Sequence, residues 1–231
     1  MGVRSRTISL IAVTSLVLWI AMASAAAVYG TQASNEADTR AANGVLDNSA
    51  AAVASELDRL ATVCGDWAPW DDTFHFIERH DSAYIRSNLG ESTLSNLGVD
   101  FMVFIDASGR IVYASALDPT THRASGLPTG LVRYLATQPT PLGSSDRRTA
   151  VSGALSLPEG PYLVAGQPIT TSDFSAAPDG TFVTGYRVSE ASISKFERLT
   201  SRPIGLYAST SPTLPADVGA ARSSLVQPAR A

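Results

Sequence analysis

Phe101-Met-Val-Phe-Ile-Asp-Ala-Ser-Gly-Arg-Ile-Val-Tyr-Ala-Ser115 carries two apolar runs joined by a short glycine-ended connection. Phe101–Asp106 is a short continuous apolar run, and Arg110–Ser115 is a second. Between them Ala107-Ser108-Gly109 makes a three-residue connection ending in Gly, as a hairpin with a glycine bulge requires. This hairpin predicts antiparallel β-structure.

Downstream, three more strands are predicted at Ala150–Leu157, Tyr162–Ile169 and Thr181–Val188. Pro158-Glu-Gly160 reads as the turn between the first two, and Thr170–Gly180 as a longer polar loop. Leu127–Thr137 reads as a helix, and Ser189 with Ala191–Leu199 as a capped closing helix. Residues 209–231, rich in Pro, Ser and Ala, read as a disordered tail.

Upstream, the Ala-rich stretch Thr31–Val63 places Val45, Leu46, Val53, Leu57, Leu60 and Val63 on one helical stripe. A stem helix is therefore expected over residues 30–64, with a parallel homodimer packed along that stripe. Gly65 and Pro69 are expected to interrupt it. Trp70, Phe74 and Ile77 then fall at helical spacing, and short helices continue through Tyr84, Leu89, Leu94 and Leu97. The order predicts an α+β fold: a long N-terminal helix, then a five-stranded antiparallel sheet with helices on one face.

Residues 8–28 carry no charge, about the length that crosses a bilayer core as a helix. Arg4 and Arg6 precede them, while Glu36 and Asp38 follow, which places the N-terminus in the cytoplasm and the rest outside. Residues 1–29 thus read as a signal anchor of a single-pass membrane protein. Small residues around Ala21–Ala25 also fit a cleavage site, which would make the folded part secreted. In either case residues 65–208 form an extracytoplasmic domain.

Net charge is −4, and −6 beyond the apolar run, with no cluster of basic residues. Nucleic acid is therefore excluded as a partner. Cys64 is the only cysteine, so neither an internal disulfide nor a multi-cysteine metal centre is available. His75 and His80 are five apart, which does not put two imidazoles on one helical face, so no metal site is expected. No Gly-x-Ser-x-Gly, His-Glu-x-x-His or phosphate-binding glycine loop occurs, and no enzyme or cofactor is expected.

Asp66-Trp-Ala-Pro-Trp-Asp-Asp-Thr-Phe-His-Phe76 holds two of the three Trp, three Asp and two Phe in eleven residues. Asp71 and Asp72 are able to receive a cationic ligand, with Trp67 and Trp70 as an aromatic wall. The same residues serve equally as a helix cap, an ion pair and core-filling rings. Composition leaves both readings open.

That run, followed by Tyr84 and Asn88, resembles the signature of the fourth class of CHASE domains. Val99-Asp-Phe-Met-Val-Phe-Ile-Asp-x-x-Gly-Arg-Ile-Val-Tyr113 and Gly180-x-x-Val-x-Gly-x-Arg187 resemble it as well. The resemblance implies an extracytoplasmic sensory domain with a PAS- or Cache-like fold, of the kind that precedes histidine kinase or cyclic-nucleotide output modules. No second membrane-spanning run and no output module follow Leu199 here, so a separate kinase or cyclase partner is expected. The expected function is ligand sensing, with an unidentified small molecule held by Trp67, Trp70, Asp71, Asp72, Tyr84, Asn88, Tyr113 and Arg187. The alternatives are a structural or interaction module without a ligand, and a truncated receptor without function.

Overall fold

The structure, a computed structural model, describes residues 44–90, 92–137 and 146–200, together with residues 22, 205, 214–216 and 218. Two units divide after Ala50. In the first, Met1–Ala50, residues 44–50 are helical and Leu46 is 66% exposed. Apart from Met22, the predicted membrane segment lies outside the described residues, as does most of the predicted tail. Among the described residues no helix is long and apolar enough to cross a membrane.

In the second unit, helix α1 covers residues 51–67 and runs through Gly65, contrary to the expected interruption there. Its last bond is Ala68 N–H to the Cys64 carbonyl at 2.8 Å, and Pro69, which has no N–H, stops it. Leu60, Val63 and Cys64 are buried, with Val53 and Leu57 packed against the same core. The apolar stripe of the expected stem therefore lies on the domain's own sheet. From Val53 onward it is not free for a homodimer.

Helix α2, Asp71–Arg79, restarts after an extended Trp70, with Asp71 and Asp72 in the first turn where the helix dipole favours acids. Helix α3, Ser82–Asn88, is capped by Asp81, whose carboxylate accepts from Ala83 N at 2.8 Å. Helix α4, Thr93–Leu97, closes the helical half.

Strands β1 (Phe101–Asp106) and β2 (Ile111–Leu117) form the predicted hairpin. Gly109 adopts φ 83°, which a side chain disfavours, and the register shifts between Phe104 and Ile105. A two-residue strand β3, Ala124–Ser125, follows. Helix α5 (Thr129–Thr137) leads to β4 (Val151–Leu157), β5 (Gly160–Ile169), β6 (Gly180–Arg187) and helix α6 (Glu190–Thr200). All pairings are antiparallel, in the order β3-β2-β1-β6-β5-β4. The sheet has six strands, not five. The sixth, β3, pairs through two residues with no apolar signature of its own.

Both faces of the sheet are covered. Met102, Phe104, Leu163, Ala165, Phe182 and Tyr186 point to α1–α4 and α6. Their neighbours Phe101, Val103, Ile105, Tyr162, Val164 and Val183 point the other way, where Leu131 and Leu135 of α5 cover them. Helices on one face alone, as expected from the sequence, would have left this second layer exposed.

Gly185 lies where strands approach closely: a Cβ there would stand 2.3 Å from the Leu163 carbonyl oxygen, whereas one on Gly153 would meet nothing within 4 Å. Gly185→Ala is expected to destabilise the domain by about 1–3 kcal/mol, and Gly153→Ala to leave stability unchanged or slightly higher. Urea melts of the two variants beside the parent chain check this.

Candidate functional site

The Asp66–Phe76 motif forms a layer of rings between helices and sheet. Trp67 stacks on Phe182 with centroids 6.2 Å apart and meets Trp70 edge-on at 6.3 Å. Phe76 stacks on Tyr84 at 4.5 Å and meets Phe104 and Tyr113 edge-on at 5.5 and 6.3 Å. The Tyr84 hydroxyl bonds Thr73 Oγ1 at 2.7 Å, and burial raises its pKa to about 12. These rings are satisfied by one another, as core rings are.

Asp71 ties the motif to the β5–β6 loop. Its Oδ1 accepts from Ser172 N at 2.9 Å, and its own N–H donates to Ser172 Oγ at 3.3 Å. Asp72, Tyr84 and Asn88 line a cavity of about 260 Å³ with His75, Arg79 and Asp81. Trp67, Trp70, Asp71 and Tyr113 do not line it. Arg187 is not brought to this group: it ends β6, five residues beyond Phe182, or about 17 Å along an extended strand. The eight expected residues thus occupy both ends of the sheet.

Arg187 belongs to a larger cavity of about 470 Å³, set among α1, α4, α6 and the ends of β2 and β6. Glu56 of α1 forms its charged floor and is 7% exposed. One Glu56 oxygen accepts from Lys195 Nζ of α6; the other accepts from Arg59 Nε at 2.9 Å and the Tyr186 hydroxyl at 3.4 Å. Arg59 also donates to the carbonyls of Leu97 at 2.8 Å and Gly98 at 3.1 Å, joining α1 to α4. Burial pushes the Glu56 pKa up, but the bonds from Lys195 and Arg59 outweigh it and hold the carboxyl below its ordinary value.

Asp100, just before β1, lines the same cavity and accepts the Arg187 backbone N–H on Oδ2 at 2.8 Å. Burial raises its pKa, and that N–H, together with the charges of His122 and Arg187, offsets the rise only in part. A second cavity of about 220 Å³ adjoins on the α5 side, sharing Asp100, Leu117, Pro119 and Arg187 and adding Asp118, Glu159 and Tyr162. Of the residues lining this cavity, the sequence expectation named Arg187 and did not name Glu56, Arg59, Asp100 or Lys195. Two signals were present: the Glu56/Arg59 spacing of three on a helix, and Lys195 as the only lysine.

The sheet order, the long first helix and helices on both faces define a sensor-type domain of the PAS and Cache kind. The family comparison agrees: the CHASE4 domain matches over residues 52–207, and the chain belongs to that family. Methanogenesis regulatory histidine kinase FilI of Methanothrix harundinacea (strain 6Ac) is 33% identical over 145 residues, which are 63% of this chain and 16% of that kinase. The extracellular domain of vpHK1S-Z8, assigned as a histidine kinase, shares the fold at a TM-score of 0.53 and 17% identity, over 82% of this chain and 77% of that one. The sensor domain of the V. cholerae histidine kinase DctB aligns at 0.47 and 14% identity, over 72% and 60% of the two chains.

Buried Glu56 and half-buried Asp100 are expected to act oppositely on stability. The folded-state pKa of Glu56 is lowered, so its contribution is present above the ordinary carboxylate range and is lost as pH falls through the lowered value. That of Asp100 is raised, so its charge weakens the fold at neutral pH and the penalty fades as it protonates. Glu56→Gln should therefore lower the Tm at neutral pH, by about 1–3 kcal/mol of stability, and Asp100→Asn should raise it. Thermal melts at neutral and acid pH measure both, and the differences from the parent chain should shrink in acid.

Proposed function

We propose that this chain is the signal-input part of a membrane-anchored receptor, and that its ligand occupies the 470 Å³ cavity among α1, α4 and α6. The observation that carries this reading is the join between α1 and α6. Lys195 and Glu56 link the first and last helices of the domain across the cavity wall. A ligand inserted there changes the spacing of those two helices by its differential contacts with them, which is the form a transmitted signal takes. The anchor is residues 8–28, with residues 65–208 outside the membrane and 209–231 as a tail.

Output runs through a histidine kinase or a cyclase, a reading supported on the kinase side by FilI, whose name makes it a regulatory histidine kinase. A homodimer, where formed, uses the helical face at Val45 and the exposed Leu46, because the stripe from Val53 onward packs on the sheet. The Asp72–Tyr84–Asn88 cavity is smaller and stands beside a ring layer already filled.

The test is a thermal-shift screen of the full chain against small amines, amino acids and carboxylates. Any compound that raises the Tm should lose its effect in Ala191→Trp, which sets a bulky ring at the rim of the 470 Å³ cavity, and keep it in Asp71→Ala. Spin labels at the exposed positions Asp58 and Ser194 should report a changed distance on binding. Hits that survive Ala191→Trp would place the ligand elsewhere.

A further inference from the structure

The charged groups around the two adjoining cavities differ in how much of their bonding capacity is already used. Glu56 has both oxygens engaged, by Lys195 and by Arg59. Asp118 Oδ1 accepts from Thr120 N, Thr121 N and Thr121 Oγ1 at 2.7–3.0 Å, which closes a local turn. Glu159 Oε1 accepts from Gly130 N at 2.8 Å. The other Glu159 oxygen is buried without a partner but sealed against Gly130, where an added Cβ would stand 2.3 Å from it, so no ligand reaches it.

Arg187 is different. Its half-buried side chain lines both cavities, and among the described residues its guanidinium makes no hydrogen bond and no ion pair. Its five N–H donors form a planar fork suited to a carboxylate. Beside it, Asp100 lines the same two cavities, and among the described residues the Arg187 backbone N–H is the one donor its carboxylate receives. Burial holds that carboxyl above its ordinary range, a condition that a bound cation relieves. A lone anion would meet the Asp100 charge, and a lone cation the Arg187 charge. A molecule carrying both charges satisfies both groups.

Resting on the reading of this cavity as the sensor's ligand site, we infer that the ligand is a small zwitterion of the α-amino acid class, its carboxylate on the Arg187 guanidinium and its ammonium on Asp100. Val99, Leu117 and Phe196 give its side chain an apolar wall within the remaining volume.

The experiment is calorimetry and thermal shift on the full chain with the common L-amino acids. For any amino acid that binds, the matched deaminated acid and decarboxylated amine follow. At least one amino acid should bind, with both truncated analogues weaker by about tenfold or more. Arg187→Gln should abolish its binding and Arg187→Lys weaken it, while Asp100→Asn should weaken the amino acid and spare or improve the deaminated acid. Apo melts of the variants, with Arg187→Lys as the conservative control, separate lost binding from lost folding.

A neutral or singly charged compound that binds in preference to every amino acid, and is lost in Ala191→Trp, would overturn the zwitterion and leave the sensing reading standing. Absence of any binder from both panels would overturn the two together.

Discussion

The antiparallel pairing of β1 with β6 is the constraint on which the rest of the molecule hangs. It brings Phe101–Asp106 against Gly180–Arg187, some eighty residues later, in a register that runs from Phe101↔Gly185 to Asp106↔Gly180. Ordering so long an intervening chain is entropically costly, and what offsets it is burial on both faces of both strands. Phe104 and Phe182 meet at 4.9 Å on one face, while Val103 and Val183 are fully buried on the other. A slip of one residue would exchange the faces and set every one of these side chains against the wrong layer.

The same register builds the polar end of the sheet. Asp100 N–H donates to the Gly185 carbonyl at 2.8 Å, and the next turn of the ladder delivers Arg187 N–H to the Asp100 carboxylate. No separate device is needed to place these two charged residues together, because the central pairing does it. At the opposite end, Trp67 lies on Phe182 and Asp71 is tied to Ser172, so that end is closed by rings and backbone bonds. One end of the sheet is thus packed and the other polar and open. The packed end and the two apolar layers supply stability against which the unfavourable charge of half-buried Asp100 is set.

How legible this was in the sequence varies with the physical source of the signal. The β1–β2 hairpin, β4 to β6, α5 and α6 came through within a residue or two, since each is marked locally by an apolar run and a turn residue. Phe101–Ile105 also carries a second signal in its unbroken apolar run. Five consecutive buried residues are the mark of a strand covered on both faces, and this implied a helix on the second face. Strand β3 was invisible, because two exposed residues recruited by Ala116 and Leu117 leave no pattern. The Asp66–Phe76 motif identified the family but could not separate ligand pocket from core, because aromatic density signals burial whether or not a ligand is nearby. Glu56, Asp100 and Lys195 were illegible as a group, since residues 56 and 195 meet only through the fold.

The use of α1 follows from the same logic and limits how the domain is able to work. An amphipathic helix with one apolar stripe either packs on its own sheet or on a partner, and from Val53 onward this stripe is committed to the sheet. Its polar side then carries Glu56 and Arg59 toward α6 and α4 rather than toward another chain. Movement of α1 is therefore resisted by the core along one face and by ion pairs along the other. Of these, the core is common to any state of the domain, while the Glu56–Lys195 link joins two helices through a half-exposed lysine and is the weaker restraint. On the proposed reading of the cavity as a ligand site, it is therefore the α6–α1 contact, and not the sheet, that a ligand at the polar end would shift.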